Sequence, residues 1–226
     1  MRYINIILVL WSITCYTQTK NSKQKSDYLE DQVYIGLTFI NLIDLPDDVN
    51  QNGFSNNFSI GFIKDIPLNS ERNFALGIGL GYGQNTYFQN IKISEVDNQT
   101  IFELLDNTNS FSNNKFKAFT LEIPLELRWR TSTLHKYKFW RFYAGTKLSY
   151  AFLTKTKFKG KPSNVKLNNI QEYNKLQYGL TLAVGYGTWN FNFYYGLSDL
   201  FSNANLDATT PVNLRDFRLG LIFYIF

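Results

Sequence analysis

Residues 74–83 read FALGIGLGYG, and this stretch decides the fold. Large apolar side chains occupy every second position of the stretch, from Phe74 to Tyr82. The positions between them hold only alanine and glycine. Because successive side chains of a β-strand point to opposite faces, the alternation predicts a strand with one bulky apolar face and one face that is nearly bare.

The same alternation recurs along most of the chain. In residues 119–130, one set of alternate positions is apolar. The other set holds four charged residues together with Thr120 and Pro124. About eight such strands can be counted, an even number that bacterial membrane barrels permit. Several are long enough to cross a bilayer when tilted. The predicted strands are residues 33–39, 58–62, 74–83, 119–130, 140–152, 176–186, 189–198 and 217–225.

Two all-β folds fit this pattern, a soluble sandwich and a membrane barrel. The solvent face of a sandwich should be rich in Lys, Glu and Thr, whereas the smaller face here is rich in glycine and alanine. Glycine is a poor strand former, so the glycines of residues 77–83 indicate an interior crowded by side chains of the opposite wall. We therefore predict an all-β fold, an eight-stranded antiparallel transmembrane β-barrel over residues 33–226, with the sandwich as the alternative.

The connections between predicted strands alternate in length, as outer-membrane barrels require. The pattern predicts a cell outer membrane location with both termini in the periplasm. Trp129, Trp140 and Trp189 fall near the predicted periplasmic strand ends, where an aromatic girdle belongs. The short turns are residues 66–72, 131–138 and 187–188, and the long outward loops are residues 41–57, 89–116, 158–174 and 201–213.

The N-terminus has the layout of a secretory signal. Met1-Arg2 precede an apolar run over residues 4–13 that is too short to span a bilayer as a helix. We predict a signal peptide over residues 1–17 and a short periplasmic tether over residues 18–32. The alternative is a lipoprotein acylated on Cys15. Cys15 is the single cysteine, so its removal with the signal would exclude disulfides, thiolate nucleophiles and cysteine metal sites.

Several charged residues fall on the inward face of the predicted strands. Charges in a narrow interior are costly unless paired, so we predict a salt-bridge network that plugs the lumen. The alternative is a selective pore or a ligand site, although a barrel of about eight strands is filled by its own side chains. Asp216 is predicted near the outer rim. The predicted network consists of Glu122, Glu126, Arg128, Arg130, Arg141, Lys147 and Arg218.

The inventory of side chains predicts no catalytic, cofactor or metal site. The only histidine, His135, falls in a predicted periplasmic turn, without a serine and acid placed to use it. Glu122 and Glu126 share a strand face, but the flanking arginines favour the ionised form of both carboxyl groups.

The charge of the chain points to no nucleic-acid partner. The net charge of +5 and the pI near 9.1 are modest, and no nucleic-acid motif accompanies them. Basic residues do gather in one predicted outward loop, where phosphates of lipopolysaccharide would lie; a solvated loop is the alternative. These residues are Lys155, Lys157, Lys159, Lys161 and Lys166.

Three segments resemble the PorT-like family of outer-membrane barrels. They are LEIPLELRWR at residues 121–130, RFYAG at residues 141–145 and NLRDFRLG at residues 213–220. The resemblance implies an eight-stranded barrel and, for the founding members of the family, a role in type IX secretion. It brings no catalytic residues.

Together, the sequence and the resemblance predict a non-enzymatic structural or accessory component of protein secretion in the outer membrane. The expected partners are outer-membrane lipid, lipopolysaccharide and proteins of the secretion translocon. The alternatives are a narrow ion or solute pore, and a surface receptor or adhesin that acts through its outward loops.

Overall fold

The computed structural model describes residues 31–97, 99–105, 111–131, 139–161, 163–206 and 210–225. The predicted signal peptide, nearly all of the predicted tether and His135 lie outside these residues. No helix in the described ranges is long and apolar enough to cross a membrane. The strands are β1 (Gln32–Ile43), β2 (Asn56–Pro67), β3 (Phe74–Phe88), β4 (Ile91–Val96), β5 (Gln99–Leu104), β6 (Phe111–Arg130), β7 (Trp140–Gly160), β8 (Val165–Asn168), β9 (Leu176–Tyr186), β10 (Trp189–Gly196), β11 (Asn205–Leu206), β12 (Thr210–Pro211) and β13 (Arg215–Ile225).

Eight of these strands form one closed antiparallel barrel. Following the chain, β1, β2, β3, β6, β7, β9, β10 and β13 each pair with the next, and β13 pairs with β1 to close the ring. The predicted eight-stranded antiparallel barrel is confirmed. The end of the barrel at which β1 begins and β13 ends is called the terminal end below, and the opposite end is called the cap end.

The outward face of the barrel is a belt of exposed apolar side chains. Leu80, Leu127 and Phe191 are more than half exposed although each stands in the middle of a paired sheet. Trp129, Trp140 and Trp189 all lie on this face at the terminal end, in the arrangement of an aromatic girdle.

Most barrel strands extend further toward the cap end than the hydrophobic pattern predicts. β6 begins at Phe111 and β7 continues to Gly160, and the two remain paired where Lys115 opposes Lys157 and Lys117 opposes Lys155. The apolar residues on the outward face end before these lysines, so the alternation disappears while the backbone ladder continues. The prediction that Lys155, Lys157 and Lys159 belong to a loop is therefore wrong, because they lie on β7.

Three of the four predicted outward loops contain short strands, and together the loops build a folded cap. β4, β5, β11 and β12 form a second sheet, and β8 adds to the barrel sheet beside β7. The cap encloses an apolar core that reaches down to the barrel mouth. Its buried members are Ile40, Leu42, Val49, Tyr87, Ile91, Ile93, Phe102, Phe116, Ala118, Ala151, Ile170, Tyr173, Leu200, Phe201, Ala204, Leu206, Val212 and Leu214.

The glycines of β3 make room for large side chains of the lumen, as the sequence predicts. A Cβ atom on Gly81 would overlap the hydroxyl of Tyr34, and one on Gly77 would lie 2.8 Å from Nε of Arg128. The bare face of this strand thus accommodates a ring and a guanidinium that no residue with a side chain would admit.

Pro124 interrupts the hydrogen-bonded ladder in the middle of β6. The pairing of β3 with β6 runs as far as Ile78 opposite Leu125, and it resumes at Gly81 opposite Glu122. Proline has no N–H to donate, which explains the gap. Gly79 lies beside the proline ring, since a Cβ there would be 2.9 Å from Cγ of Pro124.

Candidate functional site: the charged lumen and the folded cap

The terminal half of the lumen is organised around Arg128. Its Nη1 donates to Oδ1 of Asp65 at 2.6 Å and to Oε1 of Gln32 at 3.2 Å, and its Nε donates to Glu126 at 3.0 Å. The guanidinium also lies over the ring of Tyr143, with 4.4 Å from Cζ to the ring centroid. Arg128 is fully buried, and these carboxylates and the ring replace its hydration.

Asp65 joins two of the predicted lumen residues, although it is absent from the predicted network. Its second oxygen accepts from Nη1 of Arg130 at 2.5 Å, so one buried carboxylate bridges Arg128 and Arg130. A signal for Asp65 exists in the sequence. If the alternation of residues 58–62 is continued beyond Phe62, Lys64 falls on the outward face and Asp65 falls on the inward face.

A second group of charges fills the lumen toward the cap end. Nζ of Lys147 lies 3.0 Å from Oε2 of Glu122, and Nε and Nη2 of Arg218 each lie 2.8 Å from Asp216. The ring of Tyr194 stands between these two pairs, 5.0 Å from the ammonium of Lys147 and 4.4 Å from Cζ of Arg218. Asp216, predicted near the rim, is buried below the cap.

Arg141 lies at the terminal end of the lumen, directly opposite Arg130 on the neighbouring strand. It donates to the carbonyl oxygen of Gly187, and its Cζ lies 4.2 Å from the ring centroid of Phe139. The structure thus buries all seven residues of the predicted network inside the barrel, and it distributes them among separate groups.

The cap is fastened to the barrel mouth by aromatic packing and by side-chain amides. The ring of Phe116 on β6 lies 5.1 Å from that of Tyr173 and 5.5 Å from that of Phe201. Nδ2 of Asn114 donates to the backbone oxygens of Gln89 and Ile91 at 2.7 and 2.8 Å. Because β6 contributes both side chains, the cap is continuous with the barrel wall.

The barrel fold agrees with a comparison of the sequence with known families. The family described as "Outer membrane protein beta-barrel domain" matches residues 17–202 of the chain. The chain belongs to this family. It is therefore an outer-membrane β-barrel protein, and the predicted location in the outer membrane is confirmed at this level.

Among solved structures, this outer-membrane barrel is similar to Ail, the attachment invasion locus protein of Yersinia pestis. One structure of Ail has 13% identity and a TM-score of 0.39, with 86% of this chain and 97% of Ail covered. A structure of Ail in complex with the heparin analogue sucrose octasulfate has 14% identity and the same TM-score, with 87% of this chain and 99% of Ail covered. No curated protein sequence matches the chain significantly.

The lumen of this outer-membrane barrel does not bring its two glutamates together as an acid/base pair. Glu122 is bound by Lys147, and Glu126 is bound by Arg128. Each carboxylate therefore has a cation of its own. Across the described residues, no group of three or more His, Cys, Asp or Glu side chains is arranged to hold a metal ion.

The outer surface of the cap has clefts with acidic walls. A cleft of about 770 Å³ lies between the segment after β1 and the segment before β13. Arg215 spans part of it, with Nη2 at 2.7 Å from Oδ2 of Asp44 and Nε at 3.6 Å from Oδ1 of Asp199. Asp47 and Asp48 also line the cleft, so its surface is mainly anionic.

Proposed function

We propose that the chain is a non-enzymatic outer-membrane barrel that is closed to solutes and acts by binding another protein through its cap. The observation that carries the proposal is the apolar core of the cap, which includes residues from β1, β3, β6 and β7 together with residues of the connecting segments. A core shared between barrel and cap gives the cap a fixed shape, and rigid scaffolds of this kind are suited to present binding surfaces.

The orientation proposed for the barrel places the cap outside the cell and both termini in the periplasm. Two features support it. The connections at the terminal end are short, as after β9 at Gly187 and Thr188, whereas those at the cap end are long. The tryptophan girdle of Trp129, Trp140 and Trp189 marks the membrane interface at the terminal end.

A closed barrel is expected to give no single-channel events in a planar bilayer. Arg128 and Glu122 are fully buried by their neighbours, and Lys147 and Arg218 both lie within about 5 Å of the Tyr194 ring centroid. The measurement is current across bilayers containing the purified full chain, with a general porin in the same bilayers as the positive control. Steps of current that change size in Glu122→Gln would show that ions pass through the lumen, and would contradict the proposal.

The partner that we propose is a protein of the type IX secretion translocon, which makes the chain an accessory component of protein secretion. Support comes from the resemblance to the PorT-like family around Pro124 and Gly145. A stand-alone receptor or adhesin is the second candidate, and the anionic cleft and the exposed Phe54 of the cap favour it.

Affinity purification from the native outer membrane in mild detergent, followed by mass spectrometry, tests both candidates. We expect translocon proteins to be recovered with the tagged full chain, and to be lost from Phe54→Ser/Val96→Ser, which alters two exposed apolar residues of the cap. Leu68→Ser is the matched control, since Leu68 is as exposed as Val96 but lies at the terminal end. Loss only in the control would place the contact in the periplasm, and recovery of the chain alone would contradict the secretion role.

A further inference from the structure

Six lysines line the outward face of the barrel wall where it rises beyond the apolar belt. Lys115 opposes Lys157 across β6 and β7, Lys117 opposes Lys155, and Lys157 also opposes Lys166 of β8. Residues directly opposite each other on neighbouring strands share one face. The lysine face, as it is called below, consists of Lys115, Lys117, Lys155, Lys157, Lys159 and Lys166.

Among the residues that the structure describes, no carboxylate is paired with the lysine face. In the described part of the chain, none of the six ammonium groups is in a salt bridge, whereas Lys92 nearby is paired with Glu103 at 2.6 Å. Like charges directly opposite each other in a sheet repel and destabilise the pairing. The described carboxylates therefore leave the positive charge of the lysine face without an ion-pair partner.

The mutual repulsion also affects proton binding. The pKa of Lys157 is lowered, chiefly by the charge of Lys159 and then by desolvation and the charges of Lys115 and Lys166. Partial burial lowers the pKa of Lys117, and the charges of Lys115 and Lys155 lower it further. A bound anion would relieve this repulsion.

The position of the lysine face relative to the apolar belt indicates which kind of anion it would bind. Phe119 and Leu121 of β6 belong to the apolar belt, and Lys117 follows Phe119 on the same face after roughly 7 Å of strand. Nζ of Lys155 lies 5.6 Å from the ring centroid of Phe119, so an ammonium stands directly at the border of the belt. Charged groups at the border of the hydrocarbon layer meet the phosphates of lipid headgroups.

We propose that the lysine face is a binding site for the phosphate groups of lipid A in the outer leaflet. The proposal rests on the orientation proposed above, because lipid A faces the cell exterior. It does not depend on the partner of the cap. Several ammonium groups on one face of neighbouring strands would hold the two phosphates of one molecule, or those of neighbouring molecules, by charge-assisted hydrogen bonds.

Titration of the purified full chain with fluorescent bisphosphorylated lipid A in neutral detergent micelles tests the proposal. We expect Lys115→Gln/Lys117→Gln/Lys155→Gln/Lys157→Gln to reduce the apparent affinity at least about tenfold, given the attraction of each lysine to an anionic surface. Removal of both phosphates from the lipid should weaken its binding to the unaltered chain similarly. Binding should also weaken as salt is added.

Lys64→Gln is the control for loss of a single outward charge. Lys64 is exposed on β2 beside the belt, but at the terminal end. Its replacement should leave the affinity unchanged, whereas Lys157→Gln alone should reduce it. If the fourfold variant fails to fold, the comparison of these two single variants still tests the proposal.

Two results would overturn the proposal. The first is equal affinity of the unaltered chain and the fourfold variant for bisphosphorylated lipid A. The second is displacement of lipid A by a soluble sulfated oligosaccharide at similar concentration, since the lysine face would then be a site for soluble polyanions. Neither result bears on the capture of partner proteins, so this proposal and the proposed function fail separately.

Discussion

Asp65→Ala is expected to lower the free energy of unfolding of the barrel by about 3–5 kcal/mol, the usual cost of removing one partner from a buried ion pair. Asp65 accepts from Arg128 and Arg130 at once, and all three side chains are buried. Its removal takes from both guanidiniums the carboxylate that bridges them, while Arg128 keeps its ion pair with Glu126. The measurement is a guanidinium chloride titration of the protein in lipid vesicles, followed by tryptophan fluorescence.

The neighbouring residue supplies the control for this prediction. Lys64→Gln alters an exposed side chain on the same strand and should change the free energy of unfolding by no more than about 0.5 kcal/mol. The double variant Asp65→Ala/Arg130→Met should lose less than the sum of its single variants, because each single change already breaks the same Asp65–Arg130 ion pair. A loss below about 1 kcal/mol in Asp65→Ala would mean that Asp65 does not hold the network together.

Phe116→Ala is expected to destabilise the cap by about 3–5 kcal/mol, as large-to-small changes at buried aromatic residues do. Its ring packs against Tyr173, Phe201 and Tyr87, at centroid distances of 5.1, 5.5 and 5.9 Å. The barrel below keeps its own ladder, so the cap should open while the barrel stays folded. Backbone amides of β4 and β5 should then exchange with deuterium about a hundred to several thousand times faster.

Phe54→Ala is the control that separates the loss of core packing from the loss of an aromatic ring at an exposed position. Phe54 belongs to the cap but is 69% exposed, so its replacement should leave amide exchange of β4 and β5 nearly unchanged. Faster exchange in β2 and β9 of the Phe116 variant would contradict the prediction, because it would show that cap and barrel unfold as one unit. The comparison therefore shows whether the cap can unfold while the barrel stays folded.

The alternation of side chains predicts the barrel because it is a local property of each strand. Every second residue of a membrane strand must be apolar, so the inward position of Glu122 and Arg128 can be read without any knowledge of the neighbouring strands. The same reading fails where the belt ends. Asp65 and the first residues of β6 lie outside the predicted strands, because Lys64 and the lysines of β6 stand where outward apolar residues would extend the pattern.

The cap could not be predicted from the sequence in the same way. Its core joins Ile91 and Phe102 of the β3–β6 connection with Phe201 and Val212 of the β10–β13 connection. Single apolar residues in polar segments have no period of two or of 3.6, so they are typical of loops when read locally. Only the tertiary arrangement shows that these residues converge on Phe116 and Tyr87.

In the orientation proposed above, the length of β6 and β7 has a consequence for access at the cell surface. From Phe119 to Phe111, β6 rises roughly 26 Å beyond the apolar belt, measured along the strand at about 3.3 Å per residue. Two strands paired over this distance act as a stiff pillar, because an antiparallel ladder bends far less than single chains. The pillar would lift the cap through the inner sugars of the surface layer, so that a bulky partner could dock without pressing into them.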